Sequence, residues 1–162
     1  MSETQEQEVL ARLAASGARR IMGIGMLAFL AILVLYVAVV SPPALGWQVF
    51  LVVLGSASLM IAQAMWKATA ATLELTRAEL RDDTGTVIVR LDDVESVDRG
   101  AFAFKPSNGF LLRLKSPHAR AWRPGLWWRS SHRIGVGGMT PLPPAKHMAD
   151  AIAVLLAERD GG

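Results

Sequence analysis

Two uncharged apolar runs, 21-IMGIGMLAFLAILVLYVAVV-40 and 44-ALGWQVFLVVLGSASLMIAQAM-65, constrain this chain more than any other feature. At about 1.5 Å per residue, the twenty residues from Ile21 to Val40 are long enough as a helix to cross a hydrocarbon core of about 30 Å. Ser41-Pro42-Pro43 breaks that helix, because proline lacks a backbone donor and clashes with the preceding turn. The pattern predicts a transmembrane hairpin over residues 21–66, with spans 21–40 and 44–65. Trp47 and Trp66 stand near the two ends of the second span as interfacial anchors.

A cleaved signal peptide fits the first run poorly. The run is long for an h-region, its leader carries Glu3, Glu6 and Glu8, and no A-x-A site follows. Arg19-Arg20 is read as a topology determinant and not an export signal, since Ile-Met-Gly follows it. Arg12, Arg19 and Arg20 precede the first run, Lys67 and Arg77 follow the second, and 41-SPPALG-46 is uncharged, so the basic-inside bias predicts both termini in the cytoplasm. Within the hairpin, Gln48 and Gln63 with the small residues Gly55, Ser56, Ser58 and Ala62 predict helix-to-helix packing. No ionisable group sits at mid-depth to suggest a transport pathway.

Residues 1–20 form an N-terminal segment in which Val9, Leu10, Leu13 and Ala14 fall at helical spacing. It is read either as a short amphipathic helix or as a segment without fixed structure. Cysteine is absent from the 162 residues, which excludes disulfides, thiolate metal sites and cysteine nucleophiles. The formal net charge is +3, but its distribution says more. Acids outnumber bases from Leu73 to Arg99, whereas Gly100 to Ala149 contains neither Asp nor Glu.

After the second run the apolar period becomes two. Leu73 and Leu75, then Val87, Val89 and Leu91, then Val94 and Val97 read as half-buried strands of a domain over residues 67–162. The stretch 82-DDTG-85 is a hairpin turn, and Asp92-Asp93 reads as a second, solvated turn. Further strands are expected at 101-AFAFK-105, 110-FLLRLK-115 and 132-HRIGV-136, with Asn108-Gly109 as a hairpin signal between the first two. The last element is a helix over 144–159, with Pro144 in its first turn and Met148, Ile152, Leu155 and Leu156 on one side.

The pattern 72-TLELTRAELRDDTGTVIVRLDDVESVD-98 and the terminal helix 145-AKHMADAIAVLLAER-159, behind a two-helix hairpin, resemble the bacterial pleckstrin-homology-like (PH-like) domain proteins. The resemblance covers Ala68 to Arg159 and the hairpin. It implies an α+β fold: a bent antiparallel sheet or partly open barrel with the C-terminal helix plugging one end. It also implies a non-enzymatic binding or scaffold role at the bacterial cytoplasmic (inner) membrane. The stretch between Leu114 and Ile134 departs from the pattern and reads as an insertion.

No catalytic or cofactor signature accompanies these elements. His147 and Asp150 lie one helical turn apart without a third ligand, and Ser130-Ser131-His132 are chain neighbours without a triad. The run 135-GVGG-138 lacks both the Lys-Ser/Thr of a P-loop and the dinucleotide fingerprint, so strand termination and a turn explain it better. What remains is a basic-aromatic set. Lys105, Arg113 and Lys115 lead to the candidate partner- or lipid-binding residues Arg120, Trp122, Arg123, Trp127, Trp128, Arg129 and Arg133.

Three readings fit that set. A loop over 116–131 can present arginines to phosphate and tryptophans to headgroup depth. Alternatively, tryptophans close the barrel core while arginines stack on them. A protein interface is the third, since tryptophan and arginine dominate binding hot spots. Nucleic acid ranks last for want of a reader motif. The expectation is a non-enzymatic, cofactor-free scaffold or accessory subunit that binds a membrane protein partner, with sensing of anionic phospholipid as the alternative.

Overall fold

The computed structural model describes residues 8–99 and 107–162, which divide into two compact units. Gly17–Lys67 forms one; Ala68–Gly162, together with the residues up to Ser16, forms the other.

The first unit is a pair of helices, α1 (Gly17–Val40) and α2 (Leu45–Ala68), each long and apolar enough to cross a membrane. Their most apolar windows are only 17% and 11% buried, unlike the core helix of a soluble protein. On α1 the buried residues Ile24, Ala31 and Ala38 recur every seven positions, as a left-handed packing seam requires. On α2 the seam is Gln48, Gly55 and Ala62. A Cβ on Gly55 would stand 2.6 Å from Leu35 Cγ and 3.2 Å from the Ala31 carbonyl oxygen, so glycine sets how closely the helices approach. Gln48 Nε2 donates to the Ala38 carbonyl at 3.0 Å, as expected for a polar group within an apolar pair. At the other end the Arg20 guanidinium donates to the Trp66 carbonyl at 2.8 Å and stacks 4.2 Å from the Trp66 ring. It thereby satisfies one of the carbonyls that a helix C-terminus leaves open.

The second unit begins before the helices. Residues Ala11–Ala14 form strand β1, not an amphipathic helix, and pair antiparallel with β2 (Thr72–Leu75) in the register Ala11↔Leu75 and Leu13↔Leu73. Alternation decides the outcome: Ala11 and Leu13 are buried while Arg12 and Ala14 are exposed, and that pattern satisfies a sheet face better than a helix stripe. β3 (Glu79–Asp82) and β4 (Val87–Arg90) complete a four-stranded antiparallel sheet in the order β1-β2-β3-β4. Across it Glu74 lies between Arg12 (3.2 Å) and Arg81 (3.7 Å), its partners on the two neighbouring strands. The expected 82–85 turn is present. Asp82 Oδ1 accepts from the Thr84 and Thr86 amides, and Gly85 takes φ 86°.

A single 3-10 turn, Leu91–Asp93, leads into β5 (Val94–Asp98), which begins a second antiparallel sheet, β5-β6-β7. The expected strand at 101–105 lies outside the described residues. Beyond it, the sequence pattern is corrected. β6 runs from Phe110 to Arg123 and β7 from Trp127 to Val136, so the supposed insertion between Leu114 and Ile134, with its expected loop over 116–131, is one long hairpin. That hairpin is bent. Between the pairs Arg113↔Arg133 and His118↔Ser131, β6 contributes four residues and β7 one, and Ser131 takes φ 33°. The arm curls until its tip meets its own base: the Gly137 amide donates to the Leu126 carbonyl (2.8 Å) and the Met139 amide to the Gly125 carbonyl (2.9 Å).

α3 (Leu142–Asp160) extends the expected helix slightly at both ends and packs on β1, β5 and β6. Met148, Ile152 and Leu156 are buried against Leu13, Leu73, Leu80, Phe110, Leu112, Ile134 and Val136 in one core. Each fully buried side chain of this size contributes about 1.5–3 kcal/mol. Near the helix end, Arg159 Nη1 donates to the Leu91 (3.0 Å) and Val94 (2.9 Å) carbonyls, tying α3 to the corner between the two sheets.

Candidate functional site

The bent hairpin separates the seven candidate residues into groups with different roles. Trp127 is 7% exposed and belongs to the core. Trp128 is half-buried, and its indole lies where a Cβ on Gly135 would approach Nε1 to 2.4 Å. Gly135 is therefore required to let the folded-back arm close. Arg129 is held inward as well: its Nη1 donates to the Ile88 carbonyl on β4 (2.7 Å) and its Nε to the Ala119 carbonyl on β6 (2.8 Å). Its guanidinium carbon is 6.0 Å from the Trp127 ring centre, at the outer limit of a cation–π contact.

Arg120, Trp122 and Arg123 remain outside, and Trp122 is 64% exposed. Trp122 faces Trp128 directly across the strands, so the free and the packed indole share one face of the arm. Arg133 is exposed elsewhere, directly opposite Arg113.

The bend is held by a residue that reads in the sequence as a solvated turn former. Asp93 Oδ1 accepts from the Ser116 amide (3.1 Å) and hydroxyl (2.7 Å), and His118 Nε2 donates to Oδ2 at 2.5 Å. Burial acts to raise the Asp93 carboxyl, but the hydrogen bonds from Ser116 and His118 and the charge of His118 together hold it below its ordinary value. Only the fold brings residues 23 and 25 positions downstream to Asp93.

Beside this bend lies an open cleft of about 620 Å³, lined by Glu95, Arg113, Leu114, Lys115, His132 and Arg133. Lys115 Nζ donates to the Asp92 carbonyl at 2.9 Å, which fixes the ammonium while leaving donors free. Among the described residues neither Arg113 nor Arg133 forms an ion pair. The sequence indicated Arg133, but the rest of the cleft depends on strand register, which a bulged hairpin hides.

A smaller recess of about 170 Å³ is lined by Phe110, Leu142, Ala145 and Ala149, with Arg99 and Lys146 at its edge. Catalytic geometry does not emerge from the hydroxyl-imidazole neighbours. Ser131 Oγ shares a 2.9 Å hydrogen bond with His132 Nδ1, and among the described residues no carboxylate orients that ring. Asp150, set beside His147 in the sequence, pairs instead with Arg99. No group of three metal-ligating side chains occurs among the described residues. The glycines at 137 and 138 direct their amides to the Leu126 and Ser107 carbonyls, so those donors are already used and form no phosphate cradle. Comparison with family models, with curated proteins and with solved structures finds no match to this chain.

Proposed function

We propose that this chain is a membrane-anchored, non-enzymatic scaffold or accessory subunit whose PH-like domain binds a membrane protein partner. In this reading α1 and α2 span the bacterial cytoplasmic membrane, and both termini and the domain lie on the cytoplasmic side, in keeping with Arg19, Arg20 and Lys67 at one end of the pair and an uncharged connection at the other. Among the described residues, four plus three antiparallel strands with a C-terminal helix packed on them support the PH-like assignment. The observation that carries the function is Trp122. It is a large, exposed indole between two exposed arginines, on an arm made rigid by Arg129 and by the backbone bonds at its tip. A preorganised aromatic anchor loses little conformational freedom on binding, which is the character of an interface hot spot.

The test is a photo-crosslinking amino acid at position 122 in native membranes, with position 154, also well exposed, on α3, as the control. One dominant adduct from 122 and not from 154, lost as a co-purifying protein in Trp122→Ala, is expected. Equal labelling from both positions would sink the reading. The lipid alternative rests on Arg120, Trp122 and Arg123 more than on Arg129, whose guanidinium is held inward by two carbonyls. It predicts that brominated anionic lipid in nanodiscs quenches the fluorescence difference between the wild type and Trp122→Phe, whereas an unquenched difference eliminates it.

A further inference from the structure

We propose that the cleft between β5, β6 and β7 is a binding site for a phosphate-class oxyanion, with Arg113 and Arg133 as its principal ligands and Lys115 and His132 as additional donors. The inference does not depend on Trp122 or on any partner bound there.

The argument begins with how this chain treats arginines elsewhere. In the first sheet Arg12 and Arg81 share Glu74, and the third arginine, Arg90, stands opposite Glu79 in the ladder. In the second sheet Arg113 and Arg133 stand directly opposite each other, an arrangement that destabilises an antiparallel pair through like-charge repulsion. No carboxylate among the described residues pairs with either. Two guanidiniums side by side present a row of N–H donors matched to tetrahedral oxygens, and an anion between them turns the repulsion into two charge-assisted contacts.

The surroundings fit the same ligand. Lys115 follows Arg113 by two positions on β6, and the Asp92 carbonyl steadies its ammonium. His132 adjoins Arg133 and lines the same cleft. The walls are strands, and Asp93 fixes the bend through Ser116 and His118, so the donors are held before the ligand arrives. Three permanent cations and one carboxylate, Glu95, line the cleft, and although the charge of Lys115 also acts on Asp160 the lining stays positive. At about 620 Å³ it exceeds what an inorganic ion needs, so it admits an organic phosphate ester or a lipid headgroup.

The full chain in phosphatidylcholine nanodiscs provides the test. Arginine Nε–Hε resonances are followed by NMR as inorganic phosphate or glycerol 1-phosphate is added, then in nanodiscs containing phosphatidylglycerol. Saturable shifts of the Arg113 and Arg133 signals with the soluble anions identify a free phosphate ester. Shifts confined to phosphatidylglycerol discs identify a headgroup, and either result supports the site. Arg113→Gln and Arg133→Gln should each weaken binding about tenfold, or about 1.4 kcal/mol. Glu95→Gln, which leaves the sheet intact, should tighten binding several-fold, and Trp122→Ala should leave it unchanged. Absence of saturable shifts up to about 10 mM with every probe, or an unchanged titration of the surviving arginine signal in both single glutamine variants, would overturn the proposal. If the glutamine variants fail to fold, Glu95→Gln decides the matter, and unchanged affinity there counts against the site.

Discussion

Arg129 reaches from β7 to the Ile88 carbonyl on β4, 2.7 Å from Nη1 to oxygen, and crosses a gap where the two sheets share no backbone ladder. Its second bond, to the Ala119 carbonyl, closes the bend of β6. Arg129→Ala leaves both carbonyls without this donor, and hydrogen bonds from a charged group are worth about 2 kcal/mol each. A stability loss of about 2–3 kcal/mol is expected, measured by thermal melting in detergent, with new protease cuts within 116–131. Lys should not restore it, because an ammonium lacks the fork that spans two carbonyls. Unchanged melting would refute the clamp.

The Trp128 indole occupies the space above Gly135, so a Cβ there would stand 2.4 Å from Nε1 and force the ring to shift. Gly135→Ala is expected to cost about 1–3 kcal/mol through overpacking. Trp122→Ala, by contrast, should change stability by no more than about 0.5 kcal/mol, as an exposed position does. Equal effects at the two sites would contradict the division of the tryptophans.

Asp93 links stability to pH. Its folded carboxyl lies below the ordinary value of 3.8 because Ser116 and His118 outweigh the opposing effect of burial. A group of this kind stabilises the fold at pH above its unfolded value, and the contribution is lost as pH falls through the lowered folded value. The melting difference between wild type and Asp93→Asn should thus be largest above about pH 5 and shrink toward acid. A constant difference across that range would show that the hydrogen bonds, and not the charge, carry the effect.

The pairing of β1 with β2 predicts which fragments fold. Residues 68–162 alone lack Leu13, which is fully buried, and expose the edge of β2. That fragment should aggregate or melt without cooperativity. Replacing residues 17–67 with a short Gly/Ser linker restores β1, since Ala14 and Thr72 stand opposite each other. A soluble protein with a cooperative melt is expected, read by circular dichroism. A fragment 68–162 as stable as the linked form would remove β1 from the fold.

The legible parts of this chain were those with a local cause. Apolar length predicted α1 and α2, Asp-Asp-Thr-Gly predicted the turn before β4, and Pro144 with Met148 and Ile152 predicted α3. β1 was illegible because its partner lies beyond the two helices, and four residues of alternation resemble a helical stripe just as well. The hairpin over 116–131 was hidden by its bulges: extra residues in β6 put Arg113, Trp122 and their neighbours out of step with a regular strand. Of the tryptophans, sequence gave the residue types, but only the fold-back at Ser131 decides that Trp127 enters the core, Trp128 covers Gly135 and Trp122 stays outside. The cleft depends on the same register, which alone brings Arg113 opposite Arg133.

β1 precedes its partner in the chain. Its partner β2 emerges only after the intervening fifty-one residues of the helical pair, Gly17–Lys67. If those helices enter a bilayer, the first sheet can zip up only when both feet of the pair end on the same face; a half-inserted chain would hold β1 and β2 apart across the lipid. Completion of the sheet would then act as a checkpoint on membrane assembly. A wrongly threaded molecule would present an open β2 edge and an exposed core to quality-control proteases, while a correctly threaded one would conceal both.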